Sequence, residues 1–420
     1  MRVDRRIGLQ PASRNIHLVP ARLGLLGMAA VVALIGCSSS SSGPSSAASP
    51  SSAATSPRPS DHVPAVPNLG ATSFTKPGPF AVGVTTLSLP GDHAPVEVWY
   101  PATPASATGK PTVDYDVQAL LPAALKKLFP PGFQGGVYQT DAHRGIAVAA
   151  GRFPLVVFTH GYSGFRNQST FLTTHLASWG FVVAAPELLD NDLTAVLSGT
   201  KASGSGADIA EVSATISLLG RQNAAASGQF AGHVDMSKVA AIGHSLGGAV
   251  SEGVATADPA VTTFIGMAGA TVGSFGQAST GPGSRVPDKP GLLMVGTADR
   301  VADPAGITKA YDAMTDPKRL VTLAGYGHLV FADVCQIGAS QGGLIGLATS
   351  AHLTLPGELK KLATDGCLAP DRPVTTAWPI IRQTVTAQLR HVFGFDHSEA
   401  GLTGLGAAFP NLVAVESAHS

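Results

Sequence analysis

Ala240-Ala241-Ile242-Gly243-His244-Ser245-Leu246-Gly247-Gly248 is the stretch whose reading decides the fold. It contains Gly-x-Ser-x-Gly, and that pattern builds a nucleophile elbow when a strand precedes it and a helix follows. Both contexts are legible. Lys238 to Ile242 is a short apolar run suited to a buried parallel strand. Leu246 to Ala257 is rich in Ala, Gly and Val and reads as a helix lying close on a sheet. The turn between them strains the serine backbone, so bulky side chains are excluded beside it. The Ser245 hydroxyl is then held at a helix N-terminus, where the dipole favours negative charge.

Upstream, Leu155 to Phe158 is an uninterrupted apolar run, expected as a central parallel strand. His160-Gly161-Tyr162-Ser163-Gly164 follows at once. Acyl-transfer sites hold a developing oxyanion on preorganised backbone N–H groups. The elbow supplies one from the residue after the nucleophile, Leu246. The loop after the upstream strand supplies the other, which points to Tyr162. His160 is expected to shape this loop and not to act as the base.

Downstream, Gly291 to Gly296 reads as a strand, with Thr297-Ala298-Asp299 at its end. A carboxylate there can hold a histidine in one tautomer and stabilise its imidazolium. Asp303 is the rival, but Pro304 after it marks a helix start that Asp303 would cap. Leu320 to Leu323 is a further strand, followed by Ala324-Gly325-Tyr326-Gly327-His328. Among thirteen histidines, His328 completes the order Ser245, Asp299, His328, each just after a strand. Serine, acid, histidine is the order of the α/β-hydrolase fold. The expected class is therefore α/β, with a mostly parallel central sheet flanked by helices on both faces.

The remaining chain fits this frame. It has 420 residues, 44% hydrophobic and 13% charged, with formal net charge zero. Such a chain can bury a large core and carries no electrostatic footprint for nucleic acid. Five arginines between Arg2 and Arg22 precede an apolar run from Leu23 to Gly36, too short to span a membrane and suited to a signal peptide. Leu34-Ile35-Gly36-Cys37 resembles a bacterial lipobox, which implies lipidation of Cys37 and a signal peptide over residues 1–36. Residues 37–69 read as a Ser/Pro/Ala-rich disordered tether, residues 70–395 as the catalytic domain and 396–420 as a tail. Ala81 to Leu89 and Val96 to Tyr100 read as strands around a Pro-Gly-Asp turn. Val113 to Gln139 is irregular, and Pro186 to Gly206 reads as a surface loop carrying Asp190 and Asp192. Leu329 to Val334 reads as the opening of a helix, and Asp333 receives no catalytic role. Cys335 and Cys367 remain after lipidation, as a disulfide outside the cytoplasm or as two buried thiols. Closing a loop of about thirty residues contributes roughly 3–4 kcal/mol in the chain-entropy model. Neither has a metal-ligand partner at suitable spacing, and no metal or organic cofactor is called for.

The residues from Pro154 to Ala185, Val96-Glu97-Val98-Trp99-Tyr100-Pro101, Gly243 to Gly248 and Gly325 to Asp333 together resemble the serine hydrolases related to platelet-activating-factor acetylhydrolase and to bacterial cutinase-like polyester hydrolases. The resemblance extends over roughly residues 81–393. It implies the α/β-hydrolase fold, Ser245 as nucleophile with Asp299 and His328 as partners, and Tyr162 and Leu246 as oxyanion donors. The expectation is an exported serine hydrolase of carboxylic esters, small, lipid or polymeric. It is expected to be monomeric, extracytoplasmic and anchored to a bacterial membrane through Cys37, or secreted after signal cleavage. Two alternatives stand beside it. One is lipase, phospholipase or acyltransferase work on envelope lipids. The other is a non-catalytic envelope lipoprotein using the fold for binding.

Overall fold

The computed structural model describes residues 63–129, 131–133, 135–200, 205–270, 286–355 and 357–419. Cys37, the signal segment and most of the tether lie outside the described residues. The strands are β1 (Ala81–Ser88), β2 (Pro95–Ala102), β3 (Asp114–Asp116), β4 (Val137–Gln139), β5 (Ala142–Arg144), β6 (Phe153–Thr159), β7 (Val182–Pro186), β8 (Val234–His244), β9 (Val261–Met267), β10 (Gly291–Gly296), β11 (Lys318–Leu323) and β12 (Val413–His419). Ten of them form one sheet in the order β12-β11-β10-β9-β8-β6-β7-β2-β1-β5, and β3 pairs with β4 separately. The run from β11 through β7 is parallel. β2 joins β7 antiparallel, as does β12 with β11.

The apolar runs are continuous because both faces of the sheet are covered. Alternate residues of β6 point to opposite cores: Val156 and Phe158 to one, Leu155 and Val157 to the other. β8 divides likewise, Ala240 and Ile242 against Val239 and Ala241. Helices Thr170–Ser178 and Trp378–Val392 cover the first face through Leu172, Leu176, Ile381 and Val385. Helices Ser205–Ala224, Leu246–Ala257 and Pro304–Ala313 cover the second through Val212, Leu219, Val250, Val254 and Ile307. The α/β-hydrolase architecture expected from the sequence is thus present.

Strand order places the site. From β6 the chain crosses to β7 on one side, then returns to β8 on the other. The carboxyl ends of β6 and β8 therefore flank a topological switch point, where open α/β sheets hold their ligands. The loop 160–165 leaves β6 there, and Ser245 follows β8 there.

Some local expectations change. The segment beyond Phe395, read as a tail, supplies the edge strand β12, so the sheet continues to His419. Its residues are half-buried or exposed, and a one-sided edge strand leaves a weak apolar signal. The loop after β7 contains a helix, Leu193–Leu197, capped by Asp192, which accepts the Ala195 N–H at 2.6 Å. After His328 the chain makes two 3-10 turns, His328–Phe331 and Asp333–Cys335, where one helix was expected. Cys335 and Cys367 are joined as a disulfide. Between them, helices Gly343–Ser350 and Gly357–Leu362 form a cap over the site.

Candidate active site

Ser245 adopts φ 58° and ψ −125°, the strained backbone that an elbow requires. The flanking glycines are demanded by contact. A Cβ on Gly243 would lie 2.2 Å from the Gly247 carbonyl oxygen, and one on Gly247 would lie 2.1 Å from that of Thr159. This closeness sets helix Leu246–Ala257 directly against the ends of β6 and β8.

The structure brings Ser245, Asp299 and His328 together. Ser245 Oγ lies 2.8 Å from His328 Nε2, and His328 Nδ1 lies 2.9 Å from Asp299 Oδ2. All three are buried. A carboxylate accepts, so Nδ1 carries the proton and Nε2 is left to accept from the serine hydroxyl. The other Asp299 oxygen, Oδ1, accepts the N–H groups of Val301 and Ala302, each at 2.8 Å. The carboxylate plane is therefore set from both sides. Asp303 accepts the Ala305 N–H at 3.1 Å and caps helix Pro304–Ala313.

Tyr162 lines the cavity beside Ser245, and Leu246 is the first residue of the helix that follows Ser245. In the 160–165 turn, the Ser163 N–H donates to Asn191 O and the Gly164 N–H to Gly161 O. The amide hydrogens of Tyr162 and Leu246 find no acceptor among the described residues. Gly161 has no room for a side chain, since its Cβ would come within 2.9 Å of Ser245 Cβ. His160 shapes the loop. Its Nδ1 donates to Gly161 O at 2.8 Å and its Nε2 accepts the Leu188 N–H at 3.0 Å. Burial lowers its pKa to about 4, so the ring is neutral.

Several supporting residues received no role from the sequence. His244, inside the elbow motif, donates from Nε2 to the His328 carbonyl at 3.0 Å and accepts from Gln168 Nε2 at 3.1 Å. Burial, and then the neighbouring His328, keep its pKa well below the usual imidazole range. Asp333 N–H donates to Gln168 O, and its buried carboxylate receives Thr170 N–H and hydroxyl and Phe171 N–H. Asp365 Oδ1 accepts the His328 N–H at 2.7 Å. Arg300, next to Asp299, pairs with Asp365 at 3.0 Å and with Asp371 at 2.5 Å. His328 is thus gripped from the elbow on one side and from the end of the cap on the other. His244 was legible as a motif neighbour. Asp365 was not, because it stands 37 residues from His328 in the sequence and meets it only in the folded chain.

Fold and site define an α/β-hydrolase with a serine at its elbow. The family model for chlorophyllase matches residues 146–268, a segment spanning β6, the 160–165 loop and Ser245 but ending before Asp299. Among solved structures, a ferulic acid esterase from Streptomyces cinnamoneus superposes with TM-score 0.59 at 20% identity, over 83% of this chain and 100% of that one. Comparison with curated protein sequences finds no match. The chain has the α/β-hydrolase fold, and over residues 146–268 it is similar to the chlorophyllase family.

Proposed function

We propose that this protein hydrolyses carboxylic esters through an acyl-enzyme on Ser245. The observation that carries the reading is the continuous relay from Ser245 Oγ through His328 to Asp299, at 2.8 and 2.9 Å. His328 Nε2 takes the hydroxyl proton as Oγ attacks the ester carbonyl, and Asp299 stabilises the imidazolium. The tetrahedral oxyanion rests on the Tyr162 and Leu246 N–H groups, the latter aided by the helix dipole. The C–O bond to the alcohol then breaks, and His328 returns the proton to the leaving oxygen. Water, deprotonated by His328, releases the acid by the reverse sequence and restores Ser245.

The reading includes export and attachment to a bacterial membrane through Cys37, on the strength of the basic, apolar and Leu-Ile-Gly-Cys segments. The Ser/Pro/Ala-rich sequence after Cys37 would act as a spacer between the anchor and the domain. Incorporation of labelled lipid that persists in Cys37→Ala would remove the anchor from this account.

The test of activity is turnover of p-nitrophenyl esters and of a feruloyl ester by the full chain and by Ser245→Ala. Activity that disappears with Ser245, together with labelling by a fluorophosphonate, supports the reading. A folded protein that turns over none of them and resists the probe refutes it, and a binding role takes its place.

A further inference from the structure

Resting on the esterase reading, we infer that the disulfide-closed cap between Cys335 and Cys367 is a substrate-binding element that takes an unsubstituted hydrocarbon group of about six carbons. The cavity above Ser245 has a volume of about 140 Å3. That is close to the roughly 150 Å3 apolar cavity known to take up benzene, a six-carbon guest. Its chemistry is one-sided. Ser245, His328 and the 160–165 turn form the reacting wall, and every cap side chain lining the rest is apolar.

The cap sequence explains this face. In helix Gly343–Ser350, Leu344 and Leu347 stand three residues apart and share one side. In helix Gly357–Leu362, Leu359 and Leu362 do the same, while Glu358, Lys360 and Lys361 are exposed. Leu353 and Leu355 line the cavity from the connecting segment. Of these six leucines only Leu347 is buried by the protein itself; the others are half-buried. The cap therefore offers apolar surface to a guest that removes it from water. A hydroxylated or methoxylated aromatic group meets no polar partner on the cap side chains, so an oxygen atom seated against the cap is buried unpaired, Gln118 and Gln168 lying on other walls of the cavity. The cap is also joined to the chemistry. Asp365, at its end, holds the His328 N–H, so a chain seated under the cap lies beside the residue that moves the proton.

Two ester series separate the ends of the substrate. One varies the acyl chain of p-nitrophenyl esters from acetate to decanoate, and the other varies the alcohol of alkyl acetates from methyl to octyl. Both use the full chain and substrate below its aggregation limit. Each buried methylene is worth a factor of about four in kcat/KM. The expected result is a rise of about two-hundredfold between two and six carbons in one series, flattening beyond about eight. The series that rises assigns the cap to the acyl or the alcohol end. A p-nitrophenyl feruloyl ester should fall about tenfold or more below the hexanoate. Ser245-dependent turnover that is flat in both series, or, where the acyl series is the one that rises, a feruloyl ester that exceeds hexanoate, overturns the inference while leaving the esterase reading intact. Leu359→Gln and Leu362→Gln place an amide in the cavity and should lower the six-carbon to two-carbon ratio about tenfold, whereas Lys360→Gln on the exposed side should not. The ratio is independent of the fraction folded, and an unchanged ratio in both leucine variants refutes the cap assignment. Should either variant fail to fold, the wild-type series alone decides.

Discussion

Asp299→Asn is the sharpest perturbation of the site, because the surroundings dictate how the new amide must lie. Two backbone N–H groups, of Val301 and Ala302, donate to Oδ1 at 2.8 Å. The asparagine must keep its oxygen there, since turning the NH2 toward two donors would leave all of them buried and unpaired, at about 1–3 kcal/mol each. The NH2 then faces His328 Nδ1, where Oδ2 had accepted at 2.9 Å. Nδ1 becomes the acceptor, the proton moves to Nε2, and Nε2 can no longer take the Ser245 proton. The geometry survives and the tautomer is wrong. In a protease with the same constellation this substitution costs about 10⁴ in kcat, and the buried pair here supports a loss of about 10³–10⁴. The assay is the burst and steady-state release of p-nitrophenol, with thermal melting to confirm the fold. A kcat within about tenfold of wild type would refute the assignment of Asp299 as the acid. Asp303→Ala is the companion variant. It removes only the cap of helix Pro304–Ala313 and should cost about 1 kcal/mol of stability with kcat unchanged.

Asp365→Ala takes the acceptor from the His328 N–H and frees Arg300 from one of its two carboxylates; kcat should fall about tenfold or more with KM little changed, and an unaltered kcat would show that the cap end does not position the base. His160 has a folded pKa lowered to about 4, so below about 6.5 the unfolded chain gains a proton that the native loop refuses. Its contribution, roughly 3 kcal/mol for a fully buried ring, is present above pH 6.5 and is lost as pH falls toward 4; His160→Gln should flatten that part of the melting profile, and an unchanged acid slope would contradict a neutral His160. Glu211 runs the other way. Burial, and then Asp208, Asp92 and Asp190, raise its pKa to about 8, and one of its carboxylate oxygens is buried without a hydrogen-bond partner among the described residues. Its ionisation costs stability as pH rises from about 4.5 to 8, so Glu211→Gln should raise Tm more at pH 8.5 than at pH 5, and an equal gain at both would refute the shift.

The local code for this protein was legible where one short segment carries its own physics. Gly243 and Gly247 mark the elbow because contact forbids a Cβ at both, and the runs Leu155–Phe158 and Leu292–Val295 announce strands covered on both faces. The serine, acid and histidine were readable because each follows a strand, and parallel strands place their carboxyl ends on one edge. What lay beyond the sequence was whatever depends on distant segments meeting. The edge strand β12 is half solvated, so it lacks the apolar run that marked its neighbours. Asp365 and Arg300 become partners of each other and of His328 only when segments far apart in sequence are packed together. His244 can be seen as a neighbour of Ser245, but its bonds to Gln168 and to the His328 carbonyl exist only once β8, helix Thr170–Ser178 and the His328 turn are packed together. Local strain and periodicity are written residue by residue, so the sequence alone determines the hydrolase frame. The support around the base and the leucine cap are decided by tertiary contacts, which no single segment encodes.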